Sequence, residues 1–598
     1  MRASLRSPRL WLWLLILFGL GCRFYGLNWD EGTGLHPDER FCVSLVPRLA
    51  WPSLSGWFNS ASSSFNPDNL KDVHYVYGQL PLMLAKIAVG SQTDTGHLLP
   101  LLRALSAFFD SLTVVFSVLI GRRILGANWG LVAGAFVSLA ALNVQGSHFF
   151  TTDSFAAAFL TLAFWSGARW LDTRRPFDAL GMGVFWGASL ACKLSGAFFV
   201  VAFLGLAALA LRRHSWKSAL PLALCSLVGA FWTYRIFHPM AFQGAFGLLD
   251  VRPEPRFLAF ENGRLVGDFA QQLDITRGDL DVPFNVQWIG RVPWLFSLQN
   301  LGWWGWNWAL LASGVFGVAA TLARPRRAPV LFVAALFALV AFGAQGAQFS
   351  KFTRYFVPLT PMMALLAAAF WRDLLAWKPK SKLVLGAALA YSLAWCAGVA
   401  AIYGRPMPRL EASRWIVSHL NPGDPVANET VWDEGLPIGW STTGNGGLNA
   451  QSLNSFDLDT PEKRANLKRV LAQSQWIFIS SGRSWTNIPR WPQKWPMMSA
   501  FYKALFEERL GFEFDREFTN YPGIGPLRFK DDHLEEALSV YDHPRVLLYR
   551  KGIDFSPERV AQVLDSVSLS KTSQFHPREA PGKWDFLPQP RSNYSAAE

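Results

Sequence analysis

Two adjacent acids, Asp38 and Glu39, stand in the stretch GLHPDERFCVSL (34–45), which follows the first apolar segment of the chain. Neighbouring carboxylates repel each other, so they must be held where negative charge has a use. Asp153, in the stretch QGSHFFTTDSF, starts a later apolar segment. Acids at a membrane surface are often merely solvated, so a functional interpretation depends on the residues that accompany them.

The elements that hold these acids are apolar helices. Of the 598 residues, 51% are hydrophobic and only 17% are charged, and the mean hydropathy is +0.17. Soluble domains carry about 25% charged residues, and a run of about 20 apolar residues crosses a bilayer as a helix. We predict a polytopic α-helical membrane protein with about eleven transmembrane helices, near residues 10–27, 104–121, 127–145, 154–171, 178–194, 196–211, 218–235, 305–323, 328–345, 355–371 and 382–403.

The basic residues indicate the sidedness of these spans. Although the net charge is +13, the lysines and arginines form short clusters between alternate spans. This pattern is typical of cytoplasmic loops and argues against a nucleic-acid partner. With eleven spans, the N-terminus is cytoplasmic, and the acids above face the non-cytoplasmic side. The apolar segment 75–92 would invert this arrangement if it crossed the membrane, so we predict an amphipathic helix at the outer interface there.

Four cations break the sidedness pattern, because Lys193, Arg354, Arg103 and Arg235 all stand at predicted outer ends of spans. Snorkelling of a long side chain to the interface explains any one of them. An anion held at the outer surface, such as a lipid phosphate, explains why all four cations occur on that side. Asp110 lies within the second span, where we predict a structural role in capping or pairing inside the bundle.

The chain divides into three predicted parts. Residues 1–403 form the membrane domain. Residues 404–570 are typical of an exported α/β domain with a helix and two buried strands, at 409–420, 475–481 and 545–551. Residues 571–598 are polar and rich in proline, and we predict that they are disordered.

The five cysteines show no spacing typical of metal ligands. Cys22 and Cys42 fall in one predicted loop. A disulfide and two free thiols are equally compatible with the sequence at this point.

Several motifs together resemble the GT-C superfamily of membrane glycosyltransferases. HPDE (36–39) is similar to their acidic motif in the first exterior loop, and QGSHFFTTDSF to their second exterior loop with its aspartate. RALSAFFDSLTVVFSVLIGRRILG, ACKLSGAFF and KFTRYFVPLTPMMALL resemble their spans. The resemblance covers roughly residues 10–403 and extends to the dolichyl-phosphate-mannose protein mannosyltransferases and the lipid A aminoarabinose transferase. The tail, with ASRWI, NETVWDEGLP, LGFEF and YDHPRV, looks like the exterior domain of bacterial and archaeal members.

The resemblance implies an enzyme that moves a sugar, with inversion, from a polyprenyl-phosphate donor to an acceptor hydroxyl. The acceptor is a lipid, a glycan or a protein, and the location is the non-cytoplasmic face of a bacterial or archaeal plasma membrane. A carboxylate can take the proton of the attacking hydroxyl. We predict Asp38 as this base, with Glu39 orienting it or binding the acceptor.

The leaving lipid phosphate needs fixed cations. The first candidates are Lys193 and Arg354, and Arg103 is a further one. Asp153 would position its loop or contact sugar hydroxyls. Single histidines are more often structural than catalytic, but two of them are candidates for the substrate loops, His36 and His148.

A metal and two other classes of function stay open as alternatives. The chemistry requires no cofactor, because a polyprenyl monophosphate leaves without a metal, but His36, Asp38, Glu39 and Asp153 are side chains that bind divalent cations. A transporter or flippase of lipid-linked or anionic substrates is one alternative function, although we find no internal repeat of the kind many transporters show. A non-catalytic scaffold for envelope assembly is the other, and it leaves the acids and outer cations unexplained.

Overall fold

The computed structural model describes residues 8–71, 73, 75–254, 264–429, 435–438, 448–581 and 588–592. The helices of the membrane domain are α1 (Pro8–Phe24), α2 (Pro37–Leu45), α3 (Leu54–Phe58), α4 (Leu80–Val89), α5 (Thr95–Leu125), α6 (Ala127–Ser138), α7 (Ala141–Ser147), α8 (Thr152–Thr173), α9 (Pro176–Leu190), α10 (Val200–Arg213), α11 (Trp216–Phe237), α12 (Arg264–Arg277), α13 (Leu295–Asn300), α14 (Asn307–Ala323), α15 (Pro329–Ala347), α16 (Thr360–Trp377) and α17 (Lys382–Ala400). Short 3₁₀ turns lead into α10 and α16, at Leu194–Phe199 and Thr353–Leu359.

A helix lies at each of the eleven predicted spans, but these helices differ in length and hydropathy. Within the described ranges, six helical stretches are long and apolar enough to cross a membrane. A seventh follows if α6 and α7, which are bent by 59°, form one span. The chain is therefore a helical protein of membrane type, whereas the count of eleven spans stays a prediction.

A buried ion pair joins α1 to α5 and α6. Arg23 Nε donates to Asp110 Oδ2 at 2.7 Å, and Arg23 Nη1 donates to the carbonyl oxygens of Gly19 and Ser138, both at 2.7 Å. Asn143 Nδ2 donates to the other oxygen of Asp110 at 2.7 Å. A Cβ at Gly19 would lie 2.3 Å from Ser138 O, so a glycine is needed for this close approach. The structural role predicted for Asp110 is confirmed by these contacts.

The segment 75–92 and the cysteines bear on two further predictions. This segment contains α4, whose Leu80, Leu82 and Ala85 are buried, and its position at the outer interface stays a prediction.

All five cysteines are free thiols. Cys22 shares a buried cluster with Cys396 of α17, so the disulfide alternative for Cys22 does not agree with the structure.

The C-terminal domain is built on a mixed five-stranded sheet. The strands are β1 (Pro425–Asn428), β2 (Asn449–Ser452), β3 (Trp476–Ile479), β4 (Phe512–Phe518) and β5 (Val546–Lys551), and the helices are α18 (Pro408–His419), α19 (Pro461–Gln473), α20 (Arg483–Asn487), α21 (Pro496–Phe506), α22 (Glu536–Ser539) and α23 (Pro557–Asp565). The strand order is β2-β1-β3-β5-β4, with β1 parallel to β2 and β3, and β5 antiparallel to β3 and β4. The predicted helix at 409–420 and the two predicted strands correspond to α18, β3 and β5. Apolar runs flanked by turn residues identified them, because central strands are buried on both faces.

Part of the tail packs on both domains. The main-chain N–H of Arg578 donates to Gly278 O at 3.2 Å, and that of Ser573 donates to Gln493 O at 3.0 Å. Main-chain groups of this stretch thus find partners within the fold, and the disorder predicted for residues 571–598 stays a prediction. Residues 582–587 and 593–598, and part of the NETVWDEGLP motif, lie outside the described residues.

Candidate active site

The motif HPDE is the start of α2. His36 is the N-cap residue, whose Nδ1 accepts a hydrogen bond from Glu39 N at 3.2 Å, and Pro37 follows at the first helical position. Proline suits this position because its fixed φ is helical and it lacks an N–H, and acids are favoured by the positive end of the helix dipole. Successive residues of a helix point about 100° apart. Asp38 and Glu39 therefore enter different surroundings, which resolves their mutual repulsion.

Glu39 points into the protein, where Arg103 binds it. Arg103 Nε and Nη2 donate to the two oxygens of Glu39 at 2.9 and 2.6 Å, and Nη1 and Nη2 donate to those of Asp30 at 2.8 and 2.9 Å. The remaining N–H donates to Leu27 O at 2.8 Å. All three charged side chains are fully buried. Because the five N–H groups of Arg103 are all used, none is available for the donor phosphate that the sequence suggested.

Asp38 faces Arg354, in the turn before α16. Arg354 Nη1 donates to Asp38 Oδ2, and the side chains of Asp38 and Arg354 are 32% and 20% exposed. Burial acts to raise the pKa of Asp38, but the charge and hydrogen bond of Arg354, together with the charges of His36 and Lys193, hold this pKa below its usual range. Asp38 is thus an anion at neutral pH. It becomes a stronger base if Arg354 binds another anion, because the pKa then rises.

A second pair, Asp153 and Lys193, lies close to the first. Lys193 Nζ donates to Asp153 Oδ1 at 2.7 Å and lies 4.7 Å from the ring centre of Tyr355. Asp153 is in the first turn of α8, and Lys193 follows α9. A cavity of about 30 Å³ is lined by Asp153 together with Arg354 and His36. The structure therefore brings both predicted phosphate cations and two predicted acids to one place.

His36 is buried between two rings. Its ring centre lies 4.3 Å from that of Phe149 and 4.6 Å from that of Tyr541. Burial lowers the pKa of His36 to about 4. The imidazole is therefore neutral at pH 7, as an N-cap acceptor must be, and its role in a substrate loop stays a prediction.

Replacing His36 with alanine is expected to lower the free energy of unfolding by about 1 kcal/mol, because the N-cap acceptor of α2 is lost. His36→Asn keeps an acceptor at this position and should recover most of that loss. Thermal unfolding of both variants in detergent measures the difference. If the two variants were equally destabilised, the ring contacts rather than the cap would be the source of the effect.

His148 has a structural environment. Its Nδ1 lies 2.7 Å from Val144 O and its Nε2 lies 2.8 Å from Tyr25 O. The ring also stacks on Tyr403 at 3.5 Å with an interplanar angle of 2°. Both ring nitrogens contact main-chain oxygens, so His148 has no free nitrogen for a substrate in this arrangement.

The residues present do not fit a divalent cation. In the described part of the chain, no three His, Cys, Asp or Glu side chains form a group that could hold a metal ion. Glu39 is enclosed by Arg103, and Asp38 and Asp153 each bind a cationic side chain. Carboxylates that already neutralise protein cations are poor ligands for a further cation.

The C-terminal domain contributes to this site through residues 531–543, which we call the docking segment. The ring centre of Tyr541 lies 4.6 Å from that of His36. Asp542 Oδ2 accepts a hydrogen bond from Tyr403 Oη at 2.7 Å, at the end of the membrane domain. The sequence marks YDHPRV only as a motif of the tail and does not predict that it reaches the start of α2.

Glu535 of the docking segment is next to the cationic part of the site. Its Oε2 accepts a hydrogen bond from Thr353 N, beside Arg354, at 2.7 Å. Its Oε1 has no hydrogen-bond partner among the residues that the structure describes. The side chain is buried, and burial raises the pKa of Glu535 to about 7, although the hydrogen bond from Thr353 acts to lower it.

The pKa of Glu535 predicts a pH-dependent stability. Since the folded-state pKa is about 7 and the unfolded value is about 4.3, the stability from this group is complete below about pH 4 and is lost as the pH rises through about 7. The loss is of the order of 3 kcal/mol. Glu535→Gln should match the wild type at pH 4 and exceed it in stability at pH 8, as measured by denaturant unfolding. Glu31→Gln is the control, because the Glu31 carboxylate is 51% exposed. This variant should have the stability of the wild type at both pH values.

Three charged residues with buried partners were not predicted from the sequence, and only two of them have a sequence signal. Asp30 belongs to a second acidic pair, NWDEG, in the same loop as HPDE. Arg23 is a cation near the outer end of a span, the criterion that drew attention to Arg103. Glu535 has no such signal, because a glutamate in a polar segment is usually solvated.

Comparison with known families gives one match within the membrane domain. Residues 95–235 match the family of dolichyl-phosphate-mannose-protein mannosyltransferases. The matched segment runs from α5 to α11 and contains Arg103, Asp153 and Lys193, but neither Asp38 nor Arg354. It confirms the predicted resemblance to GT-C glycosyltransferases and, with it, the prediction of a glycosyltransferase. A sequence comparison with curated proteins gives no match.

Three solved structures show low similarity to the chain. The archaeal oligosaccharyltransferase AglB from Archaeoglobus fulgidus, in complex with an inhibitory peptide and a dolichol-phosphate, is 13% identical, with 84% of this chain and 73% of that chain covered and a TM-score of 0.45. ArnT from Cupriavidus metallidurans, bound to undecaprenyl phosphate, is 14% identical, with 92% and 99% covered and a TM-score of 0.40. The S. cerevisiae protein O-mannosyltransferase complex bound to the sugar donor is 19% identical, with 41% and 35% covered and a TM-score of 0.31. At these identities the likeness concerns the fold alone.

Proposed function

We propose that the chain is an inverting glycosyltransferase, which moves a sugar from a polyprenyl-phosphate donor to an acceptor hydroxyl on the non-cytoplasmic side of the membrane. The observation that carries this proposal is the Asp38–Arg354 pair beside the Asp153–Lys193 pair. A sugar phosphate presents an anion and several hydroxyls, and this group of side chains offers two cations and two carboxylates to receive them. The family match over residues 95–235 supports the class of reaction.

In the proposed reaction, the acceptor oxygen attacks the anomeric carbon as the bond from that carbon to the phosphate oxygen breaks. Asp38 takes the proton of the attacking hydroxyl. Arg354 and Lys193 stabilise the charge that grows on the leaving polyprenyl phosphate. A single displacement on the face opposite the leaving group inverts the anomeric centre.

Binding of the donor and activation of the base are coupled in this scheme. A cavity of about 30 Å³ is too small for a sugar, so the donor must separate the carboxylates from their cations as it enters. When the donor phosphate takes over Arg354, Asp38 loses its neighbouring positive charge and its pKa rises. The base therefore becomes effective only after the donor is in place.

The proposed side of the membrane follows from the distribution of charge. The lysine and arginine clusters fall between alternate helices, which favours a cytoplasmic N-terminus. The acids of α2 and the domain at 404–570 are then on the other side. The same pattern supports the proposed division into a membrane domain at 1–403 and an exported domain.

The proposal is tested with the purified full-length chain in detergent. A panel of polyprenyl-phosphate sugars is offered with mixed lipid, glycan and peptide acceptors, and free polyprenyl phosphate is measured. Release from one sugar donor, together with a glycosylated product of inverted configuration, is the expected result. No release from any donor by folded protein would contradict the proposal and favour the transporter or scaffold interpretation.

Replacing Lys193 with glutamine is expected to lower kcat/KM for the donor by about 10- to 100-fold, because one charge-assisted hydrogen bond to the phosphate is lost. Lys86→Gln is the matched control, since Lys86 is on the same predicted side and its Nζ donates to a main-chain oxygen, Val46 O, at 3.1 Å. Initial rates at varied donor concentration measure both variants. An equal effect in both would contradict a phosphate contact at Lys193.

A further inference from the structure

A cavity larger than the one at Arg354 lies between the two domains, beside the candidate site. It has a volume of about 550 Å³ and is enclosed by the docking segment, by α20 and by the end of α13. Cavities of about 300–1,000 Å³ are typical of small-molecule sites. This cavity is large enough for a few sugar units, in contrast to the small one at Arg354.

Two side chains that line this cavity each have a buried polar atom without a partner among the described residues, Trp485 Nε1 and Glu535 Oε1. Both side chains are at least nine-tenths buried. The indole N–H can only donate a hydrogen bond, whereas a carboxylate oxygen accepts one. A hydroxyl group satisfies either atom, and a ligand with several hydroxyls satisfies both. Trp303, also in the wall and 55% exposed, offers an aromatic surface on which a sugar can pack.

The cavity also carries positive charge. Four cationic side chains line it, Arg291, Arg490, Lys530 and Arg545, and they outnumber the three carboxylates of Asp532, Glu535 and Glu536. Burial, followed by the charge of Arg291, lowers the pKa of Arg490 well below its usual range. The charge of Glu536 acts in the opposite direction, and an anionic group of a ligand beside Arg291 and Arg490 would add to that effect.

One short helix separates this cavity from the candidate active site. Glu536 and Ser539 of α22 face the large cavity, while Ala537 and Leu538 face the small one that Arg354 lines. A ligand in the large cavity is therefore only the thickness of a helical turn from the acids and cations of the site. The acceptor, rather than the donor, suits this place because the leaving phosphate already has its cations on the other side of α22.

We propose that the large cavity binds the acceptor and that this acceptor is an anionic carbohydrate, a sugar chain that carries a phosphate or carboxylate. The identification of the ligand as the acceptor rests on the proposed function, whereas the binding of an anionic carbohydrate in the cavity does not depend on it. Sugar hydroxyls meet Trp485 and Glu535, the anionic group lies against Arg291 and Arg490, and a sugar ring packs on Trp303. The C-terminal domain is then the part that selects the acceptor.

The test is calorimetric binding to the full-length protein in detergent, with four probes: a trisaccharide bearing one phosphate monoester, the neutral trisaccharide, inorganic phosphate, and glycerol 3-phosphate as a lipid headgroup. The trisaccharide phosphate is expected to bind most tightly. Arg291→Gln and Trp485→Phe should each weaken it about tenfold, and Trp51→Phe, at an exposed tryptophan outside the cavity, is the control. Thermal unfolding verifies that each variant is folded.

Equal binding of all anions, including inorganic phosphate or glycerol 3-phosphate, would overturn the carbohydrate assignment and leave an anion or headgroup site. Binding unaffected by both cavity variants would overturn the location. If these binding tests fail while release of polyprenyl phosphate still depends on Asp38, only the present inference is wrong. If binding holds and no donor is cleaved, the proposed function is wrong and the cavity remains a carbohydrate site.

Discussion

Turnover is expected to fall by about 10²- to 10⁴-fold when Asp38 is replaced with asparagine, since the general base is removed while the shape of the side chain is kept. KM for the donor should change little, because Arg354 and Lys193 still hold the phosphate. Asp94→Asn is the matched control: Asp94 caps α5 on the same predicted side and its side chain is 57% exposed. Release of polyprenyl phosphate under saturating donor measures kcat for both variants. Turnover near that of the wild type in Asp38→Asn would remove Asp38 from the role of base.

The pH dependence of the wild type adds a second criterion at the same residue. The acidic limb of kcat/KM reports the free enzyme, in which Arg354 holds the pKa of Asp38 below its usual range. The acidic limb of kcat reports the donor complex, where the phosphate occupies Arg354. We therefore expect the kcat limb at a higher pH than the kcat/KM limb, and Asp38→Asn should abolish both. If the acidic limbs of kcat and kcat/KM lay at the same pH, the donor phosphate would not replace Asp38 as the partner of Arg354.

Replacing Arg103 with methionine is expected to lower the free energy of unfolding by about 3–5 kcal/mol or more, because it leaves two buried carboxylates without their cation. The fully buried guanidinium is bound to both Asp30 and Glu39. The triple variant Arg103→Met, Asp30→Asn, Glu39→Gln should regain much of that loss, because the charges that need pairing are gone. Yield of folded protein and thermal unfolding in detergent measure the effect.

Arg48→Met is the control for this series, since Arg48 is an exposed arginine of the same loop whose Nη2 donates to Lys71 O at 3.2 Å. Its stability should stay within about 0.5 kcal/mol of the wild type. An Arg103→Met protein that unfolds like the wild type would show that the buried network is not what holds the start of α2. Loss of activity without loss of stability would instead restore Arg103 as a candidate contact for phosphate.

Local patterns predicted the elements of this fold well, because each depends on residues close in sequence. Apolar runs and their basic flanks placed a helix at every predicted span, and the HPDE stretch, with proline and acids at the first helical positions, marks a helix start. The strands at 476–479 and 546–551 follow from short apolar runs between turn residues. Whether a given helix crosses the membrane depends on its neighbours and on the lipid, and length and hydropathy alone leave that open for α1, α8, α9 and α14.

The roles of individual charged residues could be predicted only in part, because they depend on partners far along the chain. The position of Arg103 at an outer helix end was apparent, but the carboxylates in front of it lie 64 and 73 residues away. The same limit applies to the docking segment, whose main-chain oxygen at Ala537 accepts a hydrogen bond from Gln145, 392 residues earlier. By contrast, Asp38, Asp153, Lys193 and Arg354 were grouped correctly because predicted sidedness places them at one end of the bundle.

The buried pair of Arg23 and Asp110 has a consequence for biosynthesis. The two residues are 87 positions apart, so at ribosomal rates of about 5–20 residues per second the partner of Arg23 is synthesised about 4–17 seconds later. During that interval an apolar helix carries a guanidinium that hydrocarbon does not tolerate unpaired. If the first helix crosses the membrane as predicted, it must therefore be kept by the insertion machinery, or at the polar surface of the bilayer, until the helix that contains Asp110 emerges. The helices that carry Arg23 and Asp110 then enter the lipid together.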